Sequence, residues 1–240
     1  MKSPLLILNL EDNVTDSELN HEMLSARWPD SRMVRVDNRD DFALVLEESK
    51  LDLILSDYTM PNFGGLEALA MARTKRPQVP FMFVSGTIGE DAAIEALKNG
   101  AIDYVLKHRL MRLIPAVDRA LREVERIAEI QRAEEYMRQS EHKYRELFES
   151  LHDAAFLVDE QSEKIIDVNR RALELLGASR GEILGRKQPV FLAMDHVPTP
   201  EVPSNLISAD DVMIPVTVHT SKLSLYNRPL VLRLCQVVGH

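Results

Sequence analysis

At 240 residues the chain is long enough for two modest domains, each with its own core. Hydrophobic residues make up 45% and charged residues 28%, the balance of a soluble globular protein. A net charge of -9 argues against a nucleic-acid surface, and no apolar stretch nears the ~20 residues of a membrane span. The N-terminus carries a single Lys2 and runs straight into a strand-like segment, so it does not read as a signal peptide. With Cys235 as its lone cysteine, the chain forms no internal disulfide. The expectation is a cytoplasmic protein with neither nucleic acid nor membrane as partner.

Up to about residue 110, short β-branched or leucine-rich runs alternate with amphipathic helical stretches. Strands are predicted at 5–10, 32–36, 52–56, 80–84 and 102–106, and helices at 14–27, 39–49, 65–75 and 89–98. Short buried runs separated by helices predict a parallel sheet covered on both faces. Asn99-Gly100 is a stop for the fourth helix, and Pro61 with Gly64-Gly65 punctuates the loop after the third strand.

From Pro115 to about Leu151 there is no further Gly or Pro. Val117, Ala120, Val124 and Ile127 follow a spacing of three and four. The spacing resumes at Ile130, Ala133, Met137, Ser140, Tyr144, Leu147 and Leu151, after a phase break. A long helix with such a seam reads as a parallel coiled-coil dimer joining two domains. The alternative is a single helix lying back on the first domain.

Beyond residue 150 the texture changes. Ala154–Val158 and Ile165–Val168 read as a hairpin, Asn169–Leu176 as a helix stopped by Gly177, and Ser179 as the cap of a short helix ending at Gly185. A stretch with Pro189, Pro198, Pro200 and Pro203 follows. Three strands are then predicted: Met213–Thr220, Leu223–Tyr226 and Leu230–Val238. Pro215 implies a late start or an edge position for the first, and Asn227-Arg228 sits at a hairpin turn. This predicts an α+β domain with an antiparallel sheet.

The chemistry concentrates at the predicted strand ends. Glu11-Asp12 follow the first strand, Asp57 the third, Ser85 the fourth and Lys107 the fifth. Singly, each is an ordinary loop, cap or surface residue. Together, at the carboxyl edge of an open α/β sheet, they suit Mg2+ and a phosphoryl group. Asp12 and Asp57 supply carboxylates to the metal, Glu11 acts through water, and the Thr59 backbone supplies a carbonyl. Asp57 is then the nucleophile, Ser85 a donor to a phosphoryl oxygen and Lys107 a point charge.

Those residues carry a resemblance. With Glu11-Asp12, Asp57-Tyr58-Thr59-Met60-Pro61, Gly64-Gly65-Leu66-Glu67, Val84-Ser85-Gly86-Thr87 and Asp103-Tyr104-Val105-Leu106-Lys107, the segment from Ser3 to Glu123 resembles a response-regulator receiver domain. The resemblance implies that Asp57 is the phosphoacceptor and Glu11 and Asp12 the acidic metal pair. It makes Ser85 and Lys107 the switch hydroxyl and lysine, and Tyr104 the switch aromatic. Thr59 and Thr87 flank the phosphate position. His108 stands where many such domains have proline.

Residues from Tyr144 resemble a PAS domain, through Tyr144–Ala154, Asp167-Val168-Asn169-Arg170-Arg171-Ala172, Leu175-Leu176-Gly177 and Glu182-Ile183-Leu184-Gly185. Arg186–Asp210 is short for the family, which implies a reduced ligand pocket. Cys235, in the last strand, forms no flavin-adduct motif, and His196, the haem-ligand candidate, reads first as a solvated residue of a Pro-rich loop. Dimerisation or partner docking is the expected role.

The expected architecture is a doubly wound five-stranded parallel-sheet receiver over 1–123, a coiled-coil linker helix over 115–150 and an α+β PAS domain over 144–240. The expected function is that of a two-component response regulator. It takes phosphate on Asp57 from a sensor histidine kinase or phosphotransfer protein, with Mg2+ as cofactor, and signals as a homodimer through the linker and PAS. Beyond self-catalysed phosphoryl transfer and dephosphorylation it is not an enzyme. The alternatives are a dimeric PAS sensor or scaffold using the receiver as a platform, or a fragment of a longer hybrid signalling enzyme.

Overall fold

A computed structural model of the chain describes residues 4–61, 63–86, 90–187, 192–193, 201–225 and 228–238. It divides into two compact units, Met1–Ala133 and Glu134–His240. Among the described residues no helix is long and apolar enough to cross a membrane.

The first unit alternates strand and helix. The strands are β1 (Leu6–Leu10), β2 (Arg32–Val36), β3 (Leu53–Ser56), β4 (Phe81–Ser85) and β5 (Asp103–Leu106). The helices are α1 (Val14–Ser25), α2 (Arg39–Glu48), α3 (Gly65–Lys75), α4 (Glu90–Lys98) and α5 (Leu113–Glu149). A 3-10 segment, Lys107–Arg112, leads from β5 into α5. All strand pairs are parallel, in the order β2-β1-β3-β4-β5.

Alternation along the strands splits the core in two. Leu8, Leu10 and Ile54 face one side and pack with Phe42 and Leu46 of α2 and Ala68, Leu69 and Ala72 of α3. Ile7, Leu53 and Leu55 face the other and pack with Leu24 of α1 and Leu113, Ala116, Val117 and Ala120 of α5. Both faces are covered, so β3 and β4 are buried at every residue.

Helix α5 does two jobs along its length. Val117 and Ala120, read from the sequence as seam positions, belong to the first unit's core. The exposed seam begins at Ile127, which is 44% exposed, and continues through Ile130, Met137 and Leu147. The phase break after Ile127 falls at this change.

Among its described residues the second unit holds a six-stranded antiparallel sheet. Its strands are β6 (Ala154–Asp159), β7 (Ile165–Val168), β8 (Leu192–Ala193), β9 (Glu201–Ile207), β10 (Met213–Leu225) and β11 (Arg228–Val237), in the order β7-β6-β11-β10-β9-β8. Helices α6 (Arg170–Leu176) and α7 (Arg180–Ile183) follow β7. Ala172, Leu176 and Ile183 join Phe156, Val158, Val216 and Val218 in its core. Asn169 is fully buried and uses both ends of its amide. Its Oδ1 accepts from the N–H groups of Ala155 and Ala172, at 2.8 and 3.0 Å, while Nδ2 donates to the carbonyls of Asp153 and Leu151. The side chain thus caps α6 and fastens it to β6.

Three expectations need correction. The predicted strands at 213–220 and 223–226 are, as far as Leu225, one strand, β10, paired with β11 from Val216↔Val237 to Leu225↔Arg228; Tyr226 lies outside the described residues. Strand β9 was not foreseen. Its Pro203, Ser204 and Asn205 have low strand propensity, and pairing with the long β10 overrides it. Pro215 lies inside β10, which is not an edge. The Pro215 carbonyl accepts from Val238 N–H at 2.9 Å. Its missing donor therefore faces the last turn of the ladder, where one lost bond costs little. His196, Thr87, Pro189, Pro198, Pro200 and Asn227 lie outside the described residues, as do 188–191 and 194–200 of the segment read as a reduced pocket.

Candidate functional site

Parallel strands bring their carboxyl ends to one edge. The order β2-β1-β3 makes the β1/β3 boundary a switch point: the connection after β1 leads to α1 on one face of the sheet, that after β3 to α3 on the other, and a crevice opens between them. Glu11 and Asp12 follow β1, and Asp57 follows β3. The Asp57 N–H donates to the Leu10 carbonyl and the Glu11 N–H to the Val36 carbonyl, each at 2.9 Å. The sheet ladder therefore fixes where both carboxylates start.

Lys107 enters from β5. Its Nζ lies 2.6 Å from Asp16 Oδ2, 2.7 Å from Asp57 Oδ2 and 2.9 Å from Glu11 Oε2. Burial alone would lower the lysine's pKa, but the hydrogen bonds it donates to Asp16, Asp57 and Glu11 outweigh this and raise the value well above its ordinary range. The side chain is a fixed cation throughout the physiological range.

Asp57 is nearly buried, and its two oxygens have different partners. Oδ2 takes Lys107, and Oδ1 accepts the Thr59 N–H at 3.2 Å. Gly65, at the start of α3, packs so close that a Cβ there would sit 2.6 Å from the Asp57 carbonyl oxygen and 2.7 Å from the Phe83 ring. That explains the second glycine of the Gly64-Gly65 pair. Ser85 is buried at the end of β4, the strand beside β3, and makes no hydrogen bond to Asp57 among the described residues. Tyr104, in β5, is half-buried against the core cluster that contains Phe83.

The donor set at this edge fits Mg2+, a hard cation that takes oxygen ligands. Oxygens of Glu11, Asp12 and Asp57 lie within 4.8 Å of one another. Glu11 is 1% exposed, and its Oε2, though near Lys107, has no hydrogen bond of good geometry. Burial raises the Glu11 pKa, with Lys107 opposing the shift.

Sequence reasoning missed three supports. Asp16, in the first turn of α1, is the closest partner of Lys107. Asn13 caps α1 by accepting from the N–H groups of Thr15 and Asp16. Arg35 Nη1 donates to the Glu11 carbonyl at 2.9 Å. Asp12 lies before the N-cap and outside α1, so no helical spacing links Asp16 to it, and Asp16 reads in the sequence as an ordinary first-turn acid.

The family model "Response regulator receiver domain" matches residues 7–118, and the family model "PAS domain" matches 142–209. The chain is a receiver domain followed by a PAS domain. The chain is 34% identical over 74 residues to the response regulator protein FleR of Pseudomonas aeruginosa, covering 31% of this chain and 16% of that one. It is 47% identical over 62 residues to a protein-glutamate methylesterase/protein-glutamine glutaminase of Thermotoga maritima, covering 25% and 18%. The crystal structure of NtrX from Brucella abortus with ADP shares the fold at 23% identity and a TM-score of 0.50, covering 54% of this chain and 30% of that one. The chain thus spans less than a fifth of either curated relative described here.

The raised pKa of Glu11 gives a signed prediction. A carboxyl that the fold holds neutral more readily contributes stability below its ordinary value of 4.5. That contribution is lost as pH rises through the raised folded value. Glu11→Gln should therefore raise the melting temperature of the Mg2+-free protein at neutral pH and flatten its pH dependence. Thermal melts across pH 4–8 in chelator check this; a lower neutral-pH melting temperature would contradict it.

Proposed function

We propose that this chain is a two-component response regulator whose Asp57 accepts a phosphoryl group from a sensor histidine kinase or a phosphotransfer protein. The observation that carries the reading is the convergence of Glu11, Asp57 and Lys107 from three strand ends at the β1/β3 switch point. In the transfer, an Asp57 carboxylate oxygen forms a bond to phosphorus as the donor's P–N bond breaks. The departing imidazole nitrogen keeps the electron pair. Glu11, Asp12 and Asp57, with the Thr59 carbonyl, would hold Mg2+. When bound, the ion offsets repulsion between the carboxylates and the incoming phosphoryl group. Lys107 pairs with a phosphoryl oxygen, and the Ser85 hydroxyl donates to another. Tyr104 then turns into the space that Ser85 leaves, a local change that biases the surface formed by α4, β5 and α5.

The working boundaries are a receiver over 1–123, a linker helix over 115–150 and a PAS domain over 144–240. The linker is proposed as a parallel coiled coil between two copies. Supporting this, Ile130, Met137 and Leu147 are 45%, 70% and 62% exposed on one continuous helix. Ion pairs such as Arg126–Glu123 and Arg138–Glu135 line its flanks. The PAS domain serves as the interaction module, and the protein works in the cytoplasm.

Intact-mass measurement after incubation with Mg2+ and acetyl phosphate should show one added phosphoryl group, absent in Asp57→Asn. No gain with either acetyl phosphate or a phosphorylated kinase would overturn the reading. Light scattering tests the linker: Ile130→Lys should convert a dimer to a monomer. A parent that is monomeric at high concentration would remove the coiled coil.

A further inference from the structure

Asp16 carries an inference that rests on the phosphoacceptor reading of Asp57 and deepens it. An ammonium has three N–H donors. On Lys107 all three are taken, by Glu11, Asp16 and Asp57, at 3.1, 2.6 and 2.7 Å. Asp16 makes the shortest of these contacts. It comes from α1, so its position does not depend on whether Asp57 is modified. Asn13 caps that helix, with the Asp16 N–H among the groups it binds, so the turn carrying Asp16 is held in place.

We propose that Asp16 is a positioning residue that holds Lys107 back from the phosphoryl position, setting how strongly the occupied state is favoured. A phosphoryl oxygen lies further out than the carboxylate that carries it. To reach it, the ammonium must loosen its present contacts, of which Asp16 is the closest. Asp16 also places a negative charge within reach of a group that is itself an anion. Both effects act in one direction: Asp16 weakens phosphoryl binding while it strengthens the resting arrangement. Lys107 is only 19% exposed at its side chain, so water screens neither effect strongly. Arg35, the other cation near Glu11, is committed to the Glu11 carbonyl and to Asp37 and does not replace the lysine.

The test compares the full-length parent with Asp16→Asn and Asp16→Glu. Beryllofluoride with Mg2+ serves as a reversible phosphoryl mimic, so affinity is read at equilibrium. Asp16→Asn should bind it about tenfold more tightly, the factor expected for relief of one charge-assisted hydrogen bond. Asp16→Glu, which keeps the charge, should stay near the parent. In Mg2+-free protein without mimic, the NMR signal of the Lys107 ammonium should exchange faster with solvent in Asp16→Asn. A residue with only a structural role would lower the melting temperature and leave the mimic's affinity the same or weaker. Unchanged or weaker binding in Asp16→Asn, or unchanged ammonium exchange, overturns the proposal while Asp57 still binds the mimic in the parent. A parent that binds no mimic overturns the phosphoacceptor reading, and this proposal with it.

Discussion

The ammonium of Lys107 inside a ring of carboxylates is the interaction on which the first unit's site depends. Each partner arrives on a different element: Glu11 after β1, Asp16 on α1, Asp57 after β3 and Lys107 after β5. Only a parallel sheet delivers strand ends to one edge in this way. The arrangement is a poor choice for stability. Charges removed from water recover their solvation only when well paired, and Glu11 retains an oxygen without a well-formed hydrogen bond. Carboxylates gathered at one point also repel. Such a concentration is the usual mark of a site kept for chemistry at some cost to the fold.

The sheet around the ring accounts for its precision. β3 is buried at every residue, and backbone bonds from Glu11 and Asp57 tie the acidic residues to neighbouring strands. Gly65 lets α3 approach the Asp57 backbone closer than any side chain would allow. In the second unit, Asn169 plays an equivalent organising part, with every hydrogen-bonding end of its amide engaged. Arg180 extends that order: it pairs with Asp167 and, at 2.6 Å, with Glu149 at the end of α5. Glu149 in turn accepts from the Arg170 N–H at 2.6 Å. The last turn of α5 is thus joined to the start of α6. The Tyr144 hydroxyl donates to Asp167, and burial with that neighbouring charge pushes its pKa up to about 12.

The parallel sheet was legible because its runs are short, apolar and punctuated, and each has one interpretation. Predicted strand 52–56 became Leu53–Ser56, and predicted helix 65–75 became Gly65–Lys75. The second sheet was less legible. β9 contains Pro203 and Asn205, and nothing local marks it as a strand; β10 supplies the pairing that makes it one. The seam on α5 was legible as a period but not as a division of labour, because Val117 and Ile127 look alike until the core claims one of them. At the site, strand-end residues stood out through their positions after apolar runs. Asp16 did not, since an acidic residue in a first helical turn has an ordinary reason to be there.

The central claim is that the ring of charge around Asp57 exists to take a phosphoryl group on that carboxylate. Borohydride reduction converts an aspartyl phosphate to homoserine, so it marks the modified position. After incubation with Mg2+ and acetyl phosphate, reduction and peptide mass mapping should find homoserine at position 57 and nowhere else. Phosphate retained on Ser85, or homoserine at Glu11's neighbour Asp12 with Asp57 intact, would contradict the account.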